Sequence, residues 1–321
     1  MEGTLQGLCA FSLTRVVGLL WLGVLVMICE PILSETMQAQ SRGVYPLGMS
    51  ALNSGVTPES GFTYSNQLLF YSRDEVKDND GATLPITGSN SVRMDLNSIV
   101  WVSTTTMLGG AHYSAIATLP FAQNDLTSDI RGNVSAGSGF ADSYYVPFVL
   151  GWNKSNISVR AMYGFLAPTG MFTANATDNV GSGYWTHTIS SGQTFKRLRG
   201  KSLLFSTFEM FEFHTGQEGT GVRPGQTFDL DYSITRSFPI RSMRLEVGGV
   251  GYEQRQTTPT TGPSIGPEKS RERYAVNALG ITSTLALPHR KLNFGARLFE
   301  EFENRATFQG YSLQISASFS F

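Results

Sequence analysis

Tyr311–Phe321 reads YSLQISASFSF. Tyr311, Leu313, Ile315, Ala317, Phe319 and Phe321 are apolar, with Ser312, Gln314, Ser316, Ser318 and Ser320 between them. Period two puts one set on each face of a β-strand. A strand with one greasy and one polar face, ending on an aromatic, suits a wall with lipid outside and polar groups inside. In hydrocarbon every backbone N–H and C=O needs a partner within the protein, so such a sheet must close on itself.

The same alternation recurs upstream. Ile157, Val159, Ala161, Tyr163 and Phe165 form one such set; Phe228, Leu230, Tyr232 and Ile234 form another; Leu292, Phe294, Ala296 and Leu298 form a third. About twelve strands are expected, near 61–72, 91–106, 110–122, 140–152, 155–167, 183–196, 202–214, 226–238, 242–255, 272–287, 290–302 and 309–321. The parity slips at Gly248–Gly249 and near Leu279–Ile281, which predicts bulges or inward apolar residues there. Pro120 and Pro147 lack a ladder donor and predict bulges or a local opening of the wall, a lateral exit for an apolar solute.

Tight connections, as at Leu108–Gly109, Asn153–Lys154, Arg197–Lys201, Pro239–Arg241 and Pro288–His289, alternate with long ones rich in Gly, Pro, Asp and Asn. That order fits short periplasmic turns and longer extracellular loops. The expected fold is therefore all-β: a closed antiparallel transmembrane β-barrel of about 12 strands, with the C-terminal Phe on the closing strand. An even count puts both ends of the barrel on the periplasmic side. The 21 Phe and 12 Tyr suit the aromatic girdles of such a barrel.

Val16–Cys29 is an unbroken apolar run behind Arg15, too short to span a bilayer with ease and long enough for the core of a secretory signal. Residues 1–39 are read as a cleaved signal peptide, 40–60 as a periplasmic segment and candidate lumen plug, and 61–321 as the barrel. A short membrane anchor is the alternative reading of the first segment. Cys9 and Cys29 both precede residue 40, so the remainder has no cysteine for a disulfide or a metal. Arg15, Glu2, Glu30 and Glu35 also fall there, so the whole chain's 24 basic and 25 acidic residues become 23 and 22. That balance gives no reason to expect a nucleic-acid partner.

On the polar parity, Arg93, Asp95, Arg160, Asp229, Asp231, Arg244, Glu246, Arg273, Arg297 and Glu301 are expected to face the lumen. They would brace the wall as ion pairs or line a path for solutes. His112, His187, His214 and His289 lack metal-ligand spacing; Glu212 and His214 share a face, but two ligands are too few for a closed metal site. No GxSxG stretch or nucleotide motif occurs. No catalytic, cofactor or metal residue is therefore assigned, and no enzyme is expected.

Several stretches carry a family resemblance: GFTYSNQLLFYSRDEVKDNDG at 61–81, DSYYVPFVLGW at 142–152, MYGFLAPTG at 162–170, NVGSGYWT at 179–186, RPGQTFDLDYSI at 223–234, VGGVGYEQRQ at 247–256 and the terminal Phe321. With them the chain resembles the outer-membrane proteins named for the meta-pathway of phenol degradation. The resemblance implies a passive channel or transporter in the bacterial outer membrane for small hydrophobic or aromatic compounds, without cofactor. It also implies a lipid bilayer around the barrel and an insertion machinery that reads the last strand. A structural or adhesive barrel, or a barrel hydrolase, are the alternatives.

Overall fold

The computed structural model describes residues 43–85, 88–128, 132–196 and 203–321. The expected signal peptide, the start of the 40–60 segment and the turn at 197–201 lie partly or wholly outside the described residues. The strands are β1 (Gly61–Val76), β2 (Gly88–Met107), β3 (Ala111–Ser128), β4 (Gly132–Phe140), β5 (Ser143–Asn153), β6 (Ile157–Ala167), β7 (Thr186–Lys196), β8 (Leu203–His214), β9 (Thr227–Ile240), β10 (Met243–Gln256), β11 (Ala275–Leu287), β12 (Leu292–Glu301) and β13 (Phe308–Ser320).

Every pairing between these strands is antiparallel, and β13 returns to β1 through Tyr64 opposite Phe319, Leu68 opposite Ile315 and Ser72 opposite Tyr311. The ring is closed, so no edge is left to aggregate or to face hydrocarbon unpaired. Phe321 N–H donates to Phe62 C=O at 2.9 Å, which fastens the two ends of the barrel at its short-turn side.

Thirteen strands make twelve staves, because β4 and β5 are two lengths of one. β4 pairs with Phe121–Ser128 of β3, and β5 pairs with His112–Thr118 of the same strand. Pro120 lies at the break. Its carbonyl accepts from Ala141 N–H at 3.0 Å, so its missing N–H falls where the stave is already interrupted. Pro147 sits in a bulge, where Val146–Val149 of β5 opposes Ser114–Ile116 of β3. At the turn from β2 to β3, Leu108, Gly109 and Gly110 have φ of 44°, 75° and 89°, a left-handed run that two glycines make easy.

Around Gly248 and Leu279 the pairing of β9, β10 and β11 runs on without a bulge. The slip comes from apolar side chains turned inward: Val250 and Tyr252 are buried, while Leu279 and Ile281 stay exposed on the outside. The outer surface also carries Ile99, Leu119, Phe148, Ile189, Ile234, Leu298 and Ile315. Rings meet at both margins of this band. Phe62–Phe321 and Phe195–Phe205 pair at the short-turn side; Phe165–Trp185 and Phe211–Phe228 pair at the long-loop side.

Candidate functional site

The interior is not an open bore. Residues 43–60 run inside the ring and touch most of its staves. The segment is a run of turns outside any sheet, with only a few backbone bonds of its own, so the wall must satisfy most of its backbone groups with side chains. Near the long-loop side, Gly43 N–H donates to Tyr274 Oη, and Glu212 accepts from Val44 N–H at 3.0 Å and Tyr45 N–H at 2.7 Å. Lower down, Asp231 accepts from Tyr45 Oη at 2.6 Å, Gly48 N–H at 2.9 Å and Ser50 N–H at 3.0 Å.

Donors on the facing staves take the carbonyls. Gln314 donates to Leu47 C=O at 2.7 Å, Arg297 to Met49 C=O at 3.1 Å, Ser233 to Ala51 C=O at 2.6 Å and Arg160 to Ser54 C=O at 2.6 Å. Gly55 N–H then donates to Thr194 Oγ1 at 3.0 Å, and Asn153 Nδ2 to Thr57 C=O at 3.1 Å, beside a short turn. The segment therefore spans the barrel's height, from the β10–β11 end to the β5–β6 turn.

The segment's side chains are as greasy as its backbone is polar. Tyr45, Leu47 and Ala51 join Val146, Val149, Met162, Phe208, Met210, Tyr252 and Phe299 in one buried cluster. Met49 packs against a second, formed by Leu69, Tyr71 and Leu96, with Val92 and Met94. Part of the inner wall is thus apolar.

Gly55 lies tight against the wall, where a Cβ would come within 2.1 Å of Ser158 O and 2.6 Å of Thr194 N. Gly55→Val is therefore expected to lift the lower half of the segment off β6 and β7. Limited proteolysis of the folded barrel checks this: new cleavage between 43 and 60 is the expected result, and an unchanged pattern the contrary one.

Of the ten charges expected to face the lumen, Arg160, Asp231 and Arg297 hold the segment's backbone as described. Glu246 accepts from Thr235 Oγ1 at 2.7 Å and Asn53 Nδ2 at 3.3 Å. Asp229 is fully buried and accepts from Gln254 Nε2 at 2.6 Å. Glu301 pairs with Arg73 at 2.7 Å and accepts from Tyr252 Oη at 2.9 Å. Arg244 shares their parity but stands exposed at the short-turn rim.

Three expectations need correction. Arg273 precedes β11 and donates to Ser270 and Glu272 carbonyls, so it belongs to a loop and not to the wall. Arg93 and Asp95 lie opposite Phe70 and Leu68, on the outer face. On β2 the inner positions go to Val92, Met94 and Leu96, because the inner neighbour there is Met49 and not water. Ion pairing is also not the main use of these charges: among the described residues only Glu301 of the ten forms an ion pair, with Arg73, while Arg160, Asp231 and Arg297 hold the inserted backbone. Sequence reasoning gives no lumen role to Glu212, which it sets only beside His214, or to Arg73, which follows the strand expected near 61–72.

Glu212 Oε2 lies 3.4 Å from His214 Nε2, and His214 Nδ1 shares a hydrogen with Thr186 Oγ1 at 2.8 Å. Among the described residues no three His, Cys, Asp or Glu side chains gather as a metal site would need.

In fold the chain is similar to an outer membrane channel from Pseudomonas putida F1, with a TM-score of 0.68 at 13% identity over 84% of this chain and 98% of that one. It is also similar to the translocator domain of the autotransporter NalP from Neisseria meningitidis, with a TM-score of 0.52 at 9% identity over 85% and 93%. The β-domain of the Bordetella autotransporter BrkA follows at 0.50 and 12% identity, over 82% and 100%. No curated protein matches the chain in sequence. At such low identity these structural likenesses show the fold alone: a closed antiparallel barrel of the outer-membrane kind, twelve staves around. Residues 73–317 match the family described as "MetA-pathway of phenol degradation", and the chain belongs to that family.

Proposed function

We propose that this barrel is a passive outer-membrane channel for small apolar or aromatic molecules, held shut in the described state by residues 43–60. The apolar inner wall carries this reading. A bore built for hydrated solutes is lined with polar groups throughout. Here Leu69, Tyr71, Val92, Met94 and Leu96 form an apolar stripe on β1 and β2, and Val146, Val149, Met162, Phe208 and Met210 continue it on the far side. The inserted segment covers this lining with Leu47, Met49 and Ala51, so a solute that takes their place meets surface already fit for hydrocarbon. The breaks at Pro120 and Pro147 lie in the adjoining staves and are the sites for a sideways exit into lipid. Phe321 and the alternating β13 are the signal for the insertion machinery, and residues 1–39 the cleaved leader that precedes export.

Vesicles carrying the purified barrel test the reading. Uptake of a small aromatic such as phenol or toluate is expected to exceed that of a sugar of equal size, and Met94→Asp to lower the former selectively. Equal rates for both solutes, or no rate above protein-free vesicles for the barrel lacking residues 43–57, would remove the proposal. Hydrolysis of esters or lipids by the pure protein would favour an enzyme instead.

A further inference from the structure

The outer face departs from its apolar rule in the middle of β1 and β2. Tyr64, Asn66, Asp95 and Asn97 stand there on the same side as the exposed Phe62, Phe70, Ile99 and Trp101. Asp95 is six residues along β2 from Trp101 at the short-turn margin. At about 3.3 Å per residue on a strand tilted by roughly 40°, that places it about 15 Å up, in the middle of an apolar band of about 25 Å. A carboxylate at that depth against acyl chains is unfavourable, and polar groups there mark a function or a partner.

The cluster is only half satisfied from within. Tyr64 Oη donates to Asn97 Oδ1 at 2.6 Å. Asn66 Nδ2 at 2.5 Å and Asn97 Nδ2 at 3.2 Å both donate to Asp95 Oδ1. Asp95 Oδ2 has no partner among the described residues. Two residues along the same face, Arg93 is exposed and also has none. Its neighbours on either side are Phe70 and Gln123.

We infer that this face is a twofold interface between two copies of the chain within the membrane, Arg93 of each copy pairing with Asp95 Oδ2 of the other. The patch holds both halves of an ion pair, offset by two residues on one strand, so it complements itself. A twofold axis along the membrane normal sets equal depths opposite each other, and an arginine is long enough to cover the offset of about 7 Å along the strand. Asn66 and Asn97 then face their own copies across the axis, and amides can both give and accept. Out of water such a pair is far less screened than on a soluble surface. A second polar cluster, Ser191, Gln193, Thr207 and Glu209 on the outer face of β7 and β8, has a carboxylate but no cation, so it offers no such self-complement.

Charge exchange and crosslinking test the interface. In a Cys9→Ser, Cys29→Ser background, Asn66→Cys is oxidised in membranes beside Ile281→Cys, which lies on other staves. A dimer band for Asn66→Cys at least tenfold above that of Ile281→Cys is expected. Equal bands, or a band joining Asn66→Cys to a different polypeptide, overturn the proposal. Arg93→Asp and Asp95→Arg are each expected to give monomers by sedimentation in detergent, and the double exchange to restore the dimer. Full dimer in both single variants, or monomer for the unaltered chain at membrane-like concentration, also overturns it. Heat-modifiable migration on gels reports folding, so loss of the dimer is read only from folded barrels.

Discussion

Asp231→Ala is expected to turn a nearly silent barrel into a conducting one. Asp231 is fully buried and takes three hydrogen bonds from the inserted segment, through Tyr45 Oη, Gly48 N–H and Ser50 N–H. Hydrogen bonds to a charged group contribute about 1.5–3 kcal/mol each, and bonds sharing one acceptor do not add in full. A net loss of about 3 kcal/mol shifts the balance between inserted and withdrawn segment by roughly 100-fold. Single-channel recordings in planar bilayers would show this as a rise in open time of that order. Tyr45→Phe removes one of the three bonds and is expected to raise open time by roughly tenfold or less. If Asp231→Ala conducts no more than the unaltered barrel, residues 43–60 are not what closes it.

Glu301→Ala is expected to give the largest loss of stability. Its carboxylate is fully buried, pairs with Arg73 at 2.7 Å and also accepts from Tyr252 Oη at 2.9 Å, Asn304 Nδ2 at 3.0 Å and Gly310 N–H at 3.2 Å. Removing one partner leaves the guanidinium uncompensated inside, at a cost of about 3–5 kcal/mol. Arg73→Met together with Glu301→Leu removes the stranded guanidinium and is expected to recover that part of the loss, while Tyr252 Oη and Gly310 N–H stay without this acceptor. Urea unfolding in lipid vesicles, followed by the heat-modifiable band, measures both. A loss under about 1 kcal/mol for Glu301→Ala would show that water reaches the pair freely.

The closing strand was legible because its two sides meet plain surroundings, lipid outside and polar side chains inside. YSLQISASFSF therefore obeys the period throughout β13. On β2 the same rule misplaced Arg93 and Asp95. There the inner surroundings are Met49 and its neighbours, so apolar residues point both ways and polarity no longer tells the faces apart. β3 and β4 ran past their expected ends for a different reason. Asn124 and Asp125, and Ala136–Gly139, lie beyond the apolar band, where neither face needs grease and a strand looks like a loop. In the sequence the inserted segment shows only a lack of any strand pattern, which fits a segment folded into the lumen and one left hanging below it equally well. Nothing local in GVYPLGMSALNSG announces that its backbone is held by Glu212, Asp231 and Arg297, whose places come from distant staves.

Residues 43–60 pass straight into β1, with Ser60 Oγ donating to Ser103 C=O of β2 at 2.8 Å. The stopper is thus leashed to the bottle. Because residues 43–60 are continuous with β1, a withdrawn segment would stay at an effective concentration of about millimolar, whatever the abundance of the protein. On the proposed reading, reclosure is a first-order event whose rate is indifferent to dilution, and a free peptide of the same sequence would have to be supplied at about that concentration to compete with it.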